Sequence, residues 1–287
     1  NDCRLSACHI TQISEKLVVF NGLMPSEFAR QPRPLSELER WKATEFRQFL
    51  LYTGPVALRN VVHTDVYQHF LVLTVAVSIF LDSDAERRSK YLDYAKQLMK
   101  YFVAKCKDIY GLCFTVYNVH NLLHVHEDVT LFNCSLNEIS AFRFENYLQV
   151  LKKLVRNSKN PITQVAKRLT ELEKTAVKKV TKDTNFSSTR RKDRHFLCHN
   201  GDFAVLREKR CDGHWVCDCI SQHHMANFFD SPCSSKLLNI GFISNVKLRE
   251  KTKRKLLELR DLKRKVVCLP HADGCVFIPM LHDAEHH

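Results

Sequence analysis

The sequence predicts an α+β protein, with helices over the first two thirds and short strands in the last third. Three observations carry this. The 287 residues include only 7 glycines, too few for a chain built throughout from tight-turned strands. Apolar residues recur at helical spacing from about residue 36 to residue 179. From about residue 196 the texture becomes short and alternating, punctuated by Asn200-Gly201 and Asp212-Gly213, pairs that favour the left-handed backbone of a hairpin turn. The apolar share of 45% and the charged share of 26% are those of a globular protein with a real core.

In chain order, residues 1–34 hold a short amphipathic piece, ITQISEKLVVF, and a proline-marked connector, MPSEFARQPRPL. SELERWKATEFRQFLLYTG (36–54) reads as a helix with Ser36 as N-cap, Glu39 three residues on, and Gly54-Pro55 as its stop. Longer helices are predicted at 64–81 and 84–106, the second with Tyr91, Tyr94, Ala95, Leu98, Tyr101 and Phe102 as its apolar set. The stretch HFLVLTVAVSIFL (69–81) is shorter than the roughly 20 apolar residues that cross a bilayer, so it is expected to be a buried core helix. LCFTVYNVHNLLHVHEDVTLF (112–132) is apolar and partly helical.

Next, FENYLQVLKKLVRN is a helix whose Phe144, Tyr147, Leu148, Leu151, Leu154 and Val155 form one apolar stripe, expected to dock on a core. Glu145, Gln149, Lys152 and Arg156 follow one another along the flank of that stripe. Pro161 opens a further helix, PITQVAKRLTELEKTAVKK, and KDTNFSSTRRKDRH (182–195) reads as a polar linker. A small β-rich domain then spans 196–287, with a basic helix at 246–264 before its last hairpin.

The formal charge of +13 and pI near 9.2 point to a polyanionic partner, nucleic acid or an acidic membrane face. Between Lys152 and Arg194 there are 14 lysines and arginines against 4 acids. A second basic run, REKTKRKLLELRDLKRK, occupies 249–265. The twelve cysteines are scattered along a chain of ordinary domain length, the pattern of reduced thiols rather than of a disulfide framework. The chain opens on Asn1 rather than Met, as a fragment would.

Three constellations could carry chemistry. His120 and His124 would share a helix face at i and i+4, but the zincin pattern needs a glutamate after the first histidine and Asn121 stands there. The pair is therefore read as structural or as support for a neighbouring site. Cys198, His199, Cys211, His214, Cys217, Cys219, His223 and His224 are the residues that could hold a structural zinc, but Cys217-x-Cys219 lacks the two-residue gap of a zinc knuckle, so the spacing argues against it more than for it. The third is Glu145 on its basic helix. No P-loop, glycine-rich dinucleotide turn or GxSxG elbow suggests another enzyme class.

The runs VHNLLHVHEDV (119–129) and SAFRFENYLQVLKKLVRNSKNP (140–161) resemble the end of the catalytic core in CACTA (En/Spm) transposases and their animal relatives. EFARQPRPLSELERWKATEFRQFLLYTGPVAL (27–58) resembles the same group, and the likeness covers most of residues 1–180. Two positions depart from the pattern: Asn121 stands where the relatives have cysteine or aspartate, and Arg143 where they have proline.

The resemblance implies a ribonuclease-H-like acidic-triad enzyme that cleaves and joins DNA strands with two magnesium ions held by carboxylates. Carried over by position, Glu145 is the third acid and a metal ligand. Lys152, Lys153, Arg156, Lys159, Lys167 and Arg168 contact DNA phosphates. The implied organisation is an N-terminal connector (1–34), a helical insertion (35–111), the end of the core with the third-acid and basic helices (112–181), a linker (182–195) and the β-rich domain (196–287). The two strand aspartates should precede the insertion, where the sequence offers only Asp2. The expectation is thus a DNA-binding transposase fragment, inactive alone, acting in the nucleus, with DNA as partner, a homo-oligomer as a further candidate assembly, and no membrane. A recruited non-catalytic DNA-binding module and a protein-interaction module are the competing readings.

Overall fold

The computed structural model describes residues 3–176 and 188–281, and within these the side chains of Arg143, Glu145, Asn146, Gln149 and 173–176 lie outside the description. The fold is α+β: a helical part followed by a seven-stranded antiparallel sheet.

Helix α1 (Ala7–Val19) is capped by Ser6, whose hydroxyl accepts from the His9 amide, and it buries Ile13 and Leu17. The segment expected as one helix over 36–54 is broken instead. It forms a 3-10 turn (Leu35–Arg40), α2 (Ala43–Gln48), a π-turn (Phe49–Thr53) and α3 (Gly54–Ala57), and Ser36 lies inside the 3-10 turn rather than capping a helix.

Arg33 explains the first break. It donates to both carboxylate oxygens of Glu45 (2.6 and 2.9 Å), to Glu37 (3.0 Å) and to the Arg40 carbonyl (2.7 Å), satisfying the end of the 3-10 turn from outside. Burial disfavours the charge on Glu45, yet the hydrogen bonds from Arg33 and the Lys42 amide hold its pKa below the usual value. The second break admits Pro55, which cannot donate in a regular helix. Gly54 is required there, because an added Cβ would lie 2.5 Å from the Phe49 carbonyl oxygen and 2.7 Å from the Phe70 ring.

Helix α4 (Thr64–Phe80) is buried on nearly every side, as its apolar sequence predicts. The turn after it folds α5 (Ala85–Tyr110) back along it, with Asp84 as N-cap accepting from the Arg87 amide (3.1 Å) and Gly111 at φ +89° ending the helix. His69 on α4 is a satisfied core histidine. It stacks on Phe102 (4.2 Å between centroids) and bonds the Phe102 carbonyl (2.9 Å) and the Tyr110 hydroxyl (3.0 Å). Beyond α5 the chain forms short helices, α6 (Tyr117–Asn121), α7 (Val125–Phe132) and α8 (Leu136–Ile139), and then α9 (Phe142–Leu154) and α10 (Pro161–Ala176).

The sheet comprises β1 (His195–Cys198), β2 (Phe203–Lys209), β3 (Trp215–Ile220), β4 (Gly241–Ser244), β5 (Lys253–Leu257), β6 (Leu262–His271) and β7 (Gly274–Pro279), in the order β4-β7-β6-β1-β2-β3-β5. Gly201 and Gly213 adopt positive φ in the two turns of the β1–β3 meander, as the Asn-Gly and Asp-Gly signals predict. Strands β5 and β6 are consecutive in the chain yet border opposite sides of that meander, joined only through 258–261. So short a connection forces the five strands to curl, which brings the end of β5 close to the start of β6. Phe196, Ala204, Leu206, Trp215, Cys217, Cys219 and Leu262 fill the inside of the curl as a separate buried cluster.

The basic helix expected at 246–264 is confined to α11 (Asn245–Lys251), and the following Lys-Arg-Lys becomes β5. Pairing with the open side of β3, from Cys219↔Lys253 to Trp215↔Leu257, overrides the local helical preference. Lys253, Arg254 and Lys255 are exposed, the charge that keeps an edge strand from pairing further.

Strands β6 and β7 contribute Val267, Leu269, Val276 and Ile278 to the core that holds Ile13, Leu17, Leu71 and Phe80. Helices and sheet therefore share one core. Buried Lys265 ties them further, through Glu27 (2.6 Å) and Asp193 (3.1 Å), while Asp193 accepts from the Ser26 amide (2.8 Å) and hydroxyl (2.6 Å). The expected linker 182–195 is thus anchored at Asp193, and its residues 182–187 lie outside the described residues.

Candidate nucleic-acid interface

The sequence VRNSKNP makes a tightly bonded corner between α9 and α10. Val155 leaves the helix with φ −88° and ψ 118°, and Asn160 adopts φ +48° ahead of Pro161, which starts α10. Gln164 reaches back across the corner. Its carbonyl oxygen accepts from the Arg156 amide (3.0 Å), and its amide nitrogen donates to the carbonyls of Asn157 (3.1 Å) and Lys159 (2.6 Å). The Asn157 side chain accepts from Gln164 (2.7 Å) and from the Lys159 amide (3.1 Å).

This corner presents the predicted cations. Lys152, Lys153, Arg156, Lys159 and Lys167 are exposed and Arg168 is half-buried. Among the described residues none of the six forms an ion pair. Lys152 and Lys153 occupy the last turn of α9, where positive charge complements the helix dipole. Arg156 falls past the end of the helix, so the expected row from Glu145 to Arg156 along one flank stops at Lys152. The backbone of Glu145 lies in the first turn of α9, and its side chain is outside the described residues. Gln164 is the residue that the sequence reading missed. Its only signal is the Asn160-Pro161 helix start three residues earlier.

The apolar stripe does not dock. Phe144 is 68% exposed, Tyr147 53% and Leu148 56%, while Leu151, Leu154 and Val155 are only half-buried. The reason is local: helix α9 is held near its N-terminus, where the Arg47 guanidinium lies over the Phe142 ring at 5.2 Å and also bonds Asn137. Beyond that point Phe144, Tyr147 and Leu148 stay uncovered among the described residues, while α10 comes against α9 and Leu151, Leu154 and Val155 are half-buried. Tyr117, Leu131, Phe132 and Ile162 add further exposed apolar surface on α6, α7 and α10.

His120 and His124 do not lie on one continuous helix, because α6 ends at Asn121 and His124 is the N-cap of α7. The corner still brings their rings edge to face at 5.6 Å, and His124 pairs with Glu127 (3.3 Å). The cysteine–histidine group is scattered. Cys198, Cys217 and Cys219 are buried with the interior of the curl, where burial raises the pKa of each, to about 12 for Cys198 and Cys217. Cys211 and His214 stay at the surface, His214 between Asp212 (3.3 Å) and Glu258 (3.5 Å). All twelve cysteines are free thiols. Among the described residues no three His, Cys, Asp or Glu side chains converge as a metal-holding group, and no helix is long and apolar enough to cross a membrane.

Residues 157–280 match a protein family described as a domain of unknown function (DUF8592). The match begins in the corner after α9 and takes in α10 and the whole sheet. No curated protein and no solved structure matches the chain.

Proposed function

We propose that this chain is a DNA-binding part of a cut-and-paste DNA transposase of the acidic-triad class. Helix α9 brings the third acid, Glu145, to a ribonuclease-H-like core, and the α9–α10 corner holds the DNA backbone. Lys152, Lys153, Arg156 and Lys159 grip phosphates beside that acid, and Lys167 and Arg168 extend the track along α10. The protein works in the nucleus and, where the element's two ends are brought together, as a homo-oligomer.

The observation that carries this reading is the stripe of Phe144, Tyr147 and Leu148, which runs along α9 without a partner among the described residues. A helix that carries the last acid of such an enzyme packs that face on the sheet bearing the other two acids. The run of residues 119–161 that resembles the CACTA transposases supports the same assignment, and the unpaired cations supply the sequence-independent part of DNA affinity. The reaction class uses magnesium, and among the described residues no group of carboxylates converges that would hold it. The two remaining acids are then contributed by an aspartate-bearing segment that docks on α9.

The test is strand cleavage of element-end DNA by this chain combined with such a segment. Glu145→Ala should reduce cleavage to background and leave DNA affinity unchanged, and retained cleavage would refute the catalytic assignment. With about six phosphate contacts the log–log salt slope of binding should be about −5. Binding indifferent to salt would instead favour a protein partner on the apolar stripe.

A further inference from the structure

We propose that the cavity between the β1–β3 meander and the β6–β7 hairpin is a binding pocket for a phosphate group, gripped by Arg191, Arg194 and Arg207. The cavity measures about 200 Å³, and its lining includes Leu248 of α11 and Thr252 just past the end of that helix. Its floor is apolar, with Val205, Ile220 and Phe277 buried beneath it. Its polar lining includes Arg191 and Arg194 from the lead into β1 and Arg207 from β2, together with His195, Asp218 and Thr252.

These cations outnumber the anion available to them. Asp218 is the acid that lines the cavity, and it is already shared between Arg207 (2.6 Å) and Arg254 (3.5 Å). Arg191 forms no ion pair among the described residues. The Nε of Arg194 is buried without a hydrogen-bond partner, an orphan donor of the kind that native proteins rarely leave unsatisfied. Burial, then the nearby Arg207 and Arg191, pushes the Arg194 pKa below its usual value.

A tetrahedral oxyanion suits three planar forks better than a carboxylate, which has two oxygens to share. Cys275 lines the same cavity. Its thiol is drawn below the usual range by the hydrogen bond from Cys268 and by Arg191, which makes it a reporter of occupancy. The two sources of such a group are a nucleic-acid backbone and free phosphate. The pocket does not involve α9, so its assignment and that of Glu145 stand or fall separately.

The full chain would be titrated with inorganic phosphate and, separately, with a short oligonucleotide, while iodoacetamide labelling of Cys275 is followed by mass spectrometry. Labelling of exposed Cys8 serves as the internal control. The bound probe should slow Cys275 labelling, and Arg194→Gln should weaken binding about tenfold and remove the protection. Arg191→Gln, at an exposed position, should do the same without affecting folding. Protection by the oligonucleotide alone assigns a backbone phosphate, and protection by inorganic phosphate assigns a free one. Absence of binding by either probe overturns the proposal, as does binding that leaves Cys275 labelling unchanged or that Arg191→Gln does not weaken.

Discussion

Helices α4 and α9 both place apolar residues at helical spacing, and they end in opposite surroundings. On α4, Leu71, Val75 and Phe80 are completely buried; on α9, Phe144 and Leu148 stand more than half exposed. Periodicity states that a face seeks an apolar partner, and it does not state where the partner is. For α4 the partner is the rest of this chain. For α9 the described residues leave Phe144 and Leu148 uncovered, so this face is open to a partner.

Mutations should separate the two helices clearly. Phe80→Ala should cost about 3–5 kcal/mol in chemical denaturation, through lost transfer energy plus a cavity. Leu148→Ala should stay within about 0.5 kcal/mol. If the two cost the same, α9 is packed and the contrast disappears. Lys265→Ala offers a similar contrast among the cations. It leaves Asp193 and Glu27 buried without their counter-charge and should cost about 3–5 kcal/mol. Lys152→Ala on the exposed corner should change stability by less than about 0.5 kcal/mol while weakening DNA binding.

Acid should weaken the shared core and sheet before it affects the corner. Burial, then Arg194, Arg207 and Arg191, lowers the His195 pKa from 6.5 to about 3. Below about pH 6.5 the unfolded chain takes up a proton there that the folded chain refuses, so stability falls with pH by up to about 1.4 kcal/mol per unit. The burial-lowered pKa values of His69 and His271 act in the same direction. Urea denaturation at pH 7, 6 and 5 measures the slope, and His195→Gln should flatten it; an unchanged slope would show that His195 is not its source. The smallest effect is expected at the corner itself. Gln164→Ala should cost about 1 kcal/mol locally, seen as faster amide exchange at Arg156.

Much of the fold was legible because its signals are local. The sequence placed helices at 64–81 and 84–106, and α4 and α5 occupy Thr64–Phe80 and Ala85–Tyr110. The turns at Gly201 and Gly213 followed from the need for positive φ. What failed depended on distant partners. Arg33, reaching Glu45 twelve residues away, breaks the 36–54 helix, and the open side of β3 recruits β5 out of a basic run that would otherwise be helical. At the candidate site the cations were legible as charge. Their corner was not, because its geometry depends on the bonds that the Gln164 and Asn157 side chains make to the backbone and to each other.

The position of β6 has a consequence for biosynthesis. This strand lies between β1 and β7 in the middle of the sheet, and with β7 it supplies side chains to the core around α1, though α1 precedes it by some 250 residues of chain. Translation runs from the N-terminus, so the side chains that β6 and β7 add to this core arrive only when residues 262–279 have left the ribosome. Contacts so far apart in sequence close slowly. A nascent chain of this protein therefore completes its shared core only at the end of its synthesis.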